Sequence, residues 1–381
     1  MAVHEVKIDP HRTLSEEPGT GHNRWHPDVR PVIRVQSGDE IVLETRDALD
    51  GQINPTSTSD DVPHLDINVV HPLTGPVFVE GAAPGDLLEV DILEVATGAF
   101  GYTTQSPGFG FLRDDFDEPF LARWEIEGGF ATSEDVPGVR IPGDPFIGTI
   151  GVAPSRDLME KVTARERRLK AEGGMVDLPE PRGAVPSDPS VVSEGLRTIP
   201  PRENAGNIDI KQLTAGTRLM IPVWVPGALL SVGDAHFAQG DGEACGQAIE
   251  VRGRLHARLG IRKREAGAQR HDGPQFERVG PSPGRGAYFA TTGICVDRDG
   301  RNFMEDLTLA ARNALRAMIE YLNATHGYTR QQAYVICSVA ADLKVSQVVD
   351  IPNVLVSAIL PLGIFAEQRR VDAWPGVEVR K

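Results

Sequence analysis

VIRVQSGDEIVLET, at residues 32–45, is the stretch that indicates the fold of this chain most clearly. Apolar and polar residues alternate on either side of Ser37-Gly38-Asp39, a tripeptide typical of a turn. The runs LDINVV (65–70), PVFVEG (76–81) and LLEVDILEV (87–95) follow at short intervals. They are rich in Val and Ile and are bounded by turn residues, so they predict further short strands. Regular short strands favour a sandwich or barrel over a doubly wound sheet.

Helical patterns occur in two parts of the chain. The charged stretch at 156–174 predicts a helix on the surface. From 303 to 325, apolar residues recur in steps of three and four, which predicts a half-buried helix. Asn302 is expected to cap its first turn, and Gly327 is expected to end it. A second helix is predicted to begin at Thr329.

The order of these patterns suggests three parts. Pro- and Gly-rich sequence follows the first predicted helix as far as residue 203, which indicates a loop or lid, and strand patterns return at 217–232 and near 245–257. We therefore expect an N-terminal β-rich part at 1–155, a helical or loop insertion at 156–203, and a β-rich part with C-terminal helices at 204–381. The three are expected to form one intertwined unit.

The totals exclude several classes of partner. The 381 residues carry a formal net charge of -15, which argues against binding to nucleic acid or to an anionic membrane. No apolar stretch approaches the length of a membrane span, and the N-terminal residues MAVHEVKIDP do not resemble a secretory signal. The three cysteines are far apart and form no CxxC pair, which favours a reducing compartment. We expect a cytoplasmic protein.

The densest group of polar residues is GDAHFAQGDGE at 233–243, directly after an apolar strand pattern. Asp234 and His236 are two positions apart, so both point to one face of an extended segment. Carboxylate and imidazole ligands suit zinc or a similar divalent ion. The glycines that follow allow a tight loop that returns Asp241 and Glu243 to the same place. The alternative is a turn with a hydrogen-bonded histidine and no metal.

Two further segments carry polar residues. Asp47 and Gln52 follow a predicted strand, and His64 and Asp66 repeat the two-residue spacing. They are either additional ligands of a shared site or, as is commoner, loop residues that cap turns. The segment PRENAGNID at 201–209 is poor material for a core and is suited to a pocket lining. The chain contains no GxSxG, Walker, HExxH or GxGxxG pattern.

Together these segments resemble the acetamidase/formamidase family, in the family's order and over most of the chain. The matching stretches are DALDGQI (47–53), HPLTGPVFVEGAAPGD (71–86), PFIGTIGVAP (145–154), PRENAGNIDI (201–210), VPGALLSVGDAHFAQGDGEACGQAIE (225–250) and SVAADLKVSQVVD (338–350). Two residues depart from the family pattern: His71 stands where the family usually has Asn, and Ala205 replaces a usual Gly. His71 is therefore not carried over as a ligand.

The resemblance implies an α+β, predominantly β fold, with a β-sandwich body and a smaller α/β portion near the C-terminus. It also implies a homo-oligomer and a divalent metal, with zinc expected. The implied reaction is hydrolysis of a small amide, of the formamide or acetamide type, to the acid and ammonia. A γ-lactam is an alternative substrate.

From the resemblance we carry over Asp234, His236 and Glu243 as site residues, followed by Asp47, Gln52 and His64. We predict a metal held by Asp234, His236 and one or two N-terminal groups, for which Asp47 and His64 are the candidates. Glu243 or Asp241 is the predicted general base, Arg202 or Asn207 is the predicted donor to the oxyanion, and Gln52 and Gln239 are predicted to line the substrate pocket. The rivals are a hydrolase with a serine nucleophile and a non-catalytic, metal-stabilised β-sandwich that binds a small ligand.

Overall fold

The computed structural model describes residues 1–264, 273–278, 288–299, 302–347 and 355–365. Most of the described elements are strands, and fifteen of them belong to one large sheet. The strands of the large sheet are β1 (Val3–Val6), β2 (Gly21–His22), β3 (Ile33–Val35), β4 (Glu40–Thr45), β5 (Leu73–Val79), β6 (Leu87–Gln105), β7 (Phe120–Glu127), β8 (Phe130–Thr132), β9 (Ile141–Pro142), β10 (Phe146–Val152), β11 (Ala205–Asn207), β12 (Thr217–Pro222), β13 (Ala228–His236), β14 (Glu250–Arg262) and β15 (Gln275–Arg278).

The remaining elements are helices and a second sheet. The α-helices are α1 (Arg156–Ala171), α2 (Pro189–Glu194), α3 (Leu307–His326) and α4 (Arg330–Ala340), and the 3-10 helices are Ser59–His64, Ile67–Val69 and Leu362–Ile364. The strands β16 (Tyr288–Ile294), β17 (Asp342–Gln347) and β18 (Leu355–Pro361) form an antiparallel sheet in the order β16-β18-β17.

The long antiparallel pair β6 and β14 is the centre of the large sheet. The strand order through it is β11-β10-β13-β14-β6-β7-β8-β9. β4 pairs with β14, and β5 pairs with β13, so the first hundred residues are woven into the same sheet as the later ones. Apolar residues from these strands fill one continuous core, in which Leu43, Leu88, Val232 and Leu255 have no exposed surface.

The sequence patterns correctly predicted most strands. Residues 32–45 form β3 and β4, joined by the predicted turn, where Gly38 has a φ of 95° that favours glycine. LDINVV at 65–70 is not a strand, and that prediction was wrong. A 3-10 helix occupies Ile67–Val69, because the side chain of Asp66 accepts a hydrogen bond from the backbone N–H of Asn68 and stabilises a local turn instead.

The C-terminal helices lie close to their predicted positions. α3 begins at Leu307 rather than 303, and its N-cap is Asp306, which accepts a hydrogen bond from the backbone N–H of Leu309. The residues before it form a turn in which the N–H of Asp306 binds the carbonyl of Phe303. Gly327 ends the helix in the left-handed conformation, as predicted. Thr329 caps α4.

These elements confirm the α+β, predominantly β fold with a smaller α/β portion near the C-terminus. In that portion, α3 packs on the sheet β16-β18-β17. Among the described residues, no helix is both long and apolar enough to cross a membrane.

Candidate active site

Strand β13 carries Asp234 and His236, and all nine of its residues are buried. Cross-strand pairing aligns His236 with Phe146 of β10 on one side and with Glu250 of β14 on the other. Glu250 is in turn paired with Tyr102 of β6. Because directly paired residues share one face of a sheet, the register brings the imidazole and the carboxylate of Glu250 together.

Three carboxylates surround the Nε2 atom of His236. That nitrogen lies 3.2 Å from Glu250 Oε2, 3.3 Å from Asp234 Oδ1 and 4.0 Å from Glu243 Oε1. The imidazole and the carboxylate of Glu250 are almost completely buried. Burying several like charges beside one another is costly, so this cluster requires a compensating positive charge or bound protons.

A fourth carboxylate, Asp209, reaches the cluster from the segment after β11. Its backbone N–H and that of Ile208 both donate to the carbonyl of Gly148 in β10, at 3.2 and 3.1 Å. A Cβ atom at Gly148 would lie 2.5 Å from Asp209 Oδ1, 2.7 Å from His236 Cε1 and 2.9 Å from Asp234 Oδ2. Because glycine has no side chain at position 148, Asp209, His236 and Asp234 can approach one another here.

Glu243 belongs to a loop that the C-terminal portion holds in place. The carboxylate of Asp241 accepts hydrogen bonds from Lys344 Nζ at 2.6 Å and from Gln212 Nε2 at 3.0 Å. The backbone N–H of Asp241 donates to Asp342 Oδ1 at 3.1 Å, and Gly240 lies so close to the carbonyl of Ala341 that a Cβ would be 2.1 Å from it. These contacts fix the start of the loop on β17 and the end of α4.

Backbone strain is concentrated in the same residues. The φ values are 43° for Asp209, 56° for Asp234 and 45° for Glu243. They lie in the left-handed region, which residues other than glycine seldom adopt. Such conformations persist only where the surrounding structure enforces them, and they are found mostly at functional sites. Three of the four acidic residues of the cluster therefore have backbone conformations that are uncommon for residues other than glycine.

The cluster shifts the acidity of its own members. Burial opposes the charged form of His236, but the carboxylates of Glu250 and Asp234 raise its pKa well above the ordinary value. Burial raises the pKa of Glu243, and the nearby Asp209 raises it further. Burial and the charge of Asp234 likewise raise the pKa of Asp209. Burial among like charges thus favours the protonated forms of Glu243 and Asp209 over those of ordinary carboxyl groups.

The same residues meet the requirements of a divalent metal. Two sets have their potential ligand atoms within 4.8 Å of one another: Asp209, Asp234 and His236, and His236, Glu243 and Glu250. Asp209 Oδ1 and Glu250 Oε2 are buried without a hydrogen-bond partner among the residues that the structure describes. Buried oxygens of this kind normally find a partner, so a cation fits the arrangement.

Among the residues predicted from sequence, the structure brings Asp234, His236 and Glu243 together. Asp47 belongs to neither ligand set. Its Oδ1 accepts a hydrogen bond of 2.8 Å from the hydroxyl of Tyr102, the residue paired with Glu250. His64 is exposed at the end of a 3-10 helix and belongs to neither of the two ligand sets.

The other predicted residues are occupied by contacts of their own. Arg202 is paired with Glu166, at 2.7 Å. Asn207 donates to the carbonyl of Ile199 at 3.1 Å.

The predicted pocket residues bond protein atoms. Gln52 bonds backbone atoms of Leu49 and Asp66, and Gln239 bonds the ring of His236. The carboxylate of Asp241 is held by the loop contacts described above.

Sequence reasoning did not single out Asp209 or Glu250 as site residues, although Asp209 lies in the segment 201–209 that was predicted to line a pocket, and it did not place His71 near the cluster. Asp209 and Glu250 each interrupt an apolar run, NIDI and AIEV, and an isolated acid in such a run was the available signal. His71 lies near Asp234 and His236, and burial lowers its pKa although the charge of Asp234 opposes that shift. Its Nδ1 atom has no hydrogen-bond partner in the described part of the chain.

A cavity of about 290 Å³ adjoins the row of cross-strand residues. Its lining includes Glu250 and Tyr102 together with the apolar residues Ile53, Pro55 and Phe100. Asp47 and Arg252 lie at the same cavity. It combines a few polar groups with apolar walls, as small-molecule sites do.

Comparison with known proteins identifies the family of this chain. The family model of the acetamidase/formamidase family matches residues 7–367. The chain is 38% identical to a formamidase from Methylophilus methylotrophus, with 98% of each chain covered. It is also 38% identical to an acetamidase from Mycolicibacterium smegmatis, over 86% of this chain and 87% of that one.

Solved structures give the same result. A γ-lactamase from Delftia acidovorans matches with a TM-score of 0.88 and 34% identity, covering 96% of this chain and 94% of the other. An acetamidase from Bacillus halodurans matches with a TM-score of 0.54 and 28% identity, covering 90% and 96%. The chain belongs to the acetamidase/formamidase family. It is an amidohydrolase that acts on the C–N bond of linear amides, which confirms the enzyme class predicted from sequence.

Proposed function

We propose that this amidohydrolase is metal-dependent and converts a short carboxylic amide, of the formamide or acetamide type, to the carboxylic acid and ammonia. The observation that carries the proposal is the buried cluster of one imidazole, that of His236, and four carboxylates. That donor set suits zinc or another divalent ion. The formamidase and acetamidase relatives support the substrate class.

The distances suggest which residues would hold the metal. Glu250 and Asp234 approach His236 Nε2 most closely, at 3.2 and 3.3 Å, so these three residues form the proposed ligand set. Asp209 would add a ligand from the side that Gly148 leaves open. When bound, a divalent cation polarises a carbonyl group and lowers the pKa of water. This set replaces Asp47 and His64 of the sequence prediction with Glu250 and Asp209.

Glu243 is the proposed acid–base residue. It is the most distant of the three carboxylates around His236 Nε2, at 4.0 Å, and it is half-buried rather than sealed in the core. Its raised pKa suits a group that accepts and returns a proton. It would take a proton from water as the new C–O bond forms at the carbonyl carbon. It would then give that proton to the nitrogen as the C–N bond breaks, which yields the acid and ammonia.

The cavity beside Glu250 favours a small substrate. Its volume is about 290 Å³, and Ile53, Pro55 and Phe100 supply apolar walls for a short acyl group. Burying each methylene of that group contributes about 0.8 kcal/mol, so a modest preference among short amides is expected.

A cyclic amide is the second candidate. It is favoured by the γ-lactamase from Delftia acidovorans, which superimposes with a TM-score of 0.88 over 96% of this chain. Opening a lactam uses the same attack on an amide carbonyl, but the amine remains attached to the product. The two candidates therefore differ in whether ammonia is released.

The test is a panel of formamide, acetamide, propionamide and a γ-lactam, given to the protein loaded with zinc. Free ammonia is measured for the linear amides, and the ring-opened amino acid is measured by NMR for the lactam. Ammonia release with the highest kcat/KM on a linear amide supports the proposal. Faster opening of the lactam moves the assignment to the second candidate, and no product from any of them contradicts both.

A further inference from the structure

The side-chain amide of Gln239 connects two residues of the carboxylate–imidazole cluster. Its Oε1 lies 2.9 Å from His236 Nδ1, and its Nε2 donates to the backbone carbonyl of Asp209 at 2.8 Å. The residue is buried, with 6% of its surface exposed. The position predicted for it from sequence was the substrate pocket, but both ends of its amide are directed at protein atoms.

These two contacts determine the protonation of the His236 ring. The carbonyl of Asp209 can only accept a hydrogen bond, so it must face the NH₂ end of the Gln239 amide. The oxygen of the amide is then the end that faces His236 Nδ1. Since that oxygen can also only accept, Nδ1 must carry a hydrogen. Nε2, the other ring nitrogen, faces Asp234 and Glu250.

We propose that Gln239 is a positioning residue that holds His236 with Nδ1 protonated and Nε2 directed at the metal ligand set. This rests on the proposed metal-dependent function. Metal-binding histidines commonly donate their second N–H to an oxygen acceptor, and loss of that acceptor weakens metal affinity. The second bond of Gln239 joins the ring to the backbone of Asp209, which has a strained φ of 43°. One amide thus aligns ligands from two separate segments.

The experiment compares Gln239→Glu with Gln239→Met. Glutamate retains an oxygen that accepts from Nδ1, whereas methionine has a similar length and retains no such oxygen. Gln105→Met is the matched control, because Gln105 is also buried but donates to the backbone carbonyl of Gln331 rather than contacting the ring of His236. For each protein, the affinity for Zn²⁺ is measured by competition with a chromophoric chelator, and thermal unfolding is measured on the metal-free protein.

We expect Gln239→Met to lose about 10- to 100-fold in Zn²⁺ affinity. Gln239→Glu should lose less affinity than Gln239→Met, because it keeps the acceptor for Nδ1 but loses the donor to Asp209. Gln105→Met should stay within about threefold of the unmodified protein. An unchanged affinity of Gln239→Met would overturn the proposal. Equal losses in both Gln239 variants, in parallel with a lower unfolding temperature, would also overturn it, because they indicate a purely structural role.

A second readout separates this inference from the proposed function. In metal-free protein labelled with ¹⁵N-histidine, the His236 Nδ1–H signal is assigned by its absence in His236→Gln. Slow exchange of that proton with solvent, retained in Gln239→Glu and lost in Gln239→Met, supports the positioning role even if the protein binds no Zn²⁺. Rapid exchange in the unmodified protein would contradict it even if Zn²⁺ binds.

Discussion

His236 is the residue at which the site converges, since both potential ligand sets include it. An imidazole nitrogen has one lone pair, so Nε2 would bind a single ion, and the two sets would describe one proposed metal position rather than two. Glu250 and Asp234 approach that nitrogen more closely than Glu243 does. This difference separates the residues expected to hold the metal from the one expected to move protons.

The separation predicts different results for substitutions within one site. Glu243→Gln should lower kcat by about 10²- to 10⁴-fold, because it removes the acid–base group. It should retain the bound zinc, measured by atomic absorption after gel filtration. His236→Gln should lose both zinc and activity. Loss of zinc from Glu243→Gln would show instead that Glu243 is a ligand.

Gly148 provides a test that leaves all the polar groups in place. Gly148→Ala puts a methyl group within 2.5 to 2.9 Å of atoms of Asp209, His236 and Asp234, so it should displace the metal and abolish ammonia release. Gly260→Ala in β14 is the control, since its nearest neighbour is the carboxylate end of Glu89, at 3.1 Å. Full zinc content and full activity in Gly148→Ala would place the metal elsewhere.

Strands and loops contribute to the site in different ways. β10, β13 and β14 position His236, Asp234 and Glu250 through the register of their backbone pairing. Glu243 depends on a loop that Lys344 and Asp342 of β17 fasten through Asp241. The C-terminal portion therefore supports the acid–base group, whereas the large sheet supports the proposed metal ligands.

Loosening this attachment should affect the rate more than metal binding. Lys344→Met removes the cation 2.6 Å from the Asp241 carboxylate, and a displacement of Glu243 by about 1 Å would lower kcat by up to about 10²-fold. Lys263→Met breaks a comparable ion pair with Asp86 and serves as the control. Steady-state kinetics and zinc content are measured on both variants. Equal kcat values for the two variants would contradict the supporting role of β17.

Sequence could predict which site residues are close together along the chain, but not which residues are joined to them by tertiary contacts. Asp234 and His236 are two residues apart on one strand, so alternation was sufficient to place them together. Glu250 joins them through the register of β13 with β14, and Asp209 joins them through the carbonyl of Gly148 and the side chain of Gln239. Neither pairing has a local signature. The positive φ values of Asp234 and Glu243 are likewise imposed by tertiary structure, against local preference.

For the whole molecule, strand spacing predicted the fold class, and the family resemblance predicted the small α/β portion. The strand proposed at 65–70 was wrong because the side chain of Asp66 stabilises a turn that alternation cannot reveal. The homo-oligomer and the cytoplasmic location stay predictions. Segments from the first and last thirds of the chain support one buried site. Asp47 accepts the hydrogen bond of Tyr102, and Asp342 of β17 accepts a hydrogen bond from the backbone of the Glu243 loop.

The central claim, metal-dependent amide hydrolysis at this cluster, is tested most directly by removing and restoring the metal. Ammonia release from formamide and acetamide is measured on the protein as isolated, after exhaustive chelation, and after addition of Zn²⁺. We predict that activity disappears with the metal and returns with Zn²⁺, while Asp234→Asn remains inactive throughout. Full activity in protein shown to contain no metal would contradict the account and favour a serine nucleophile.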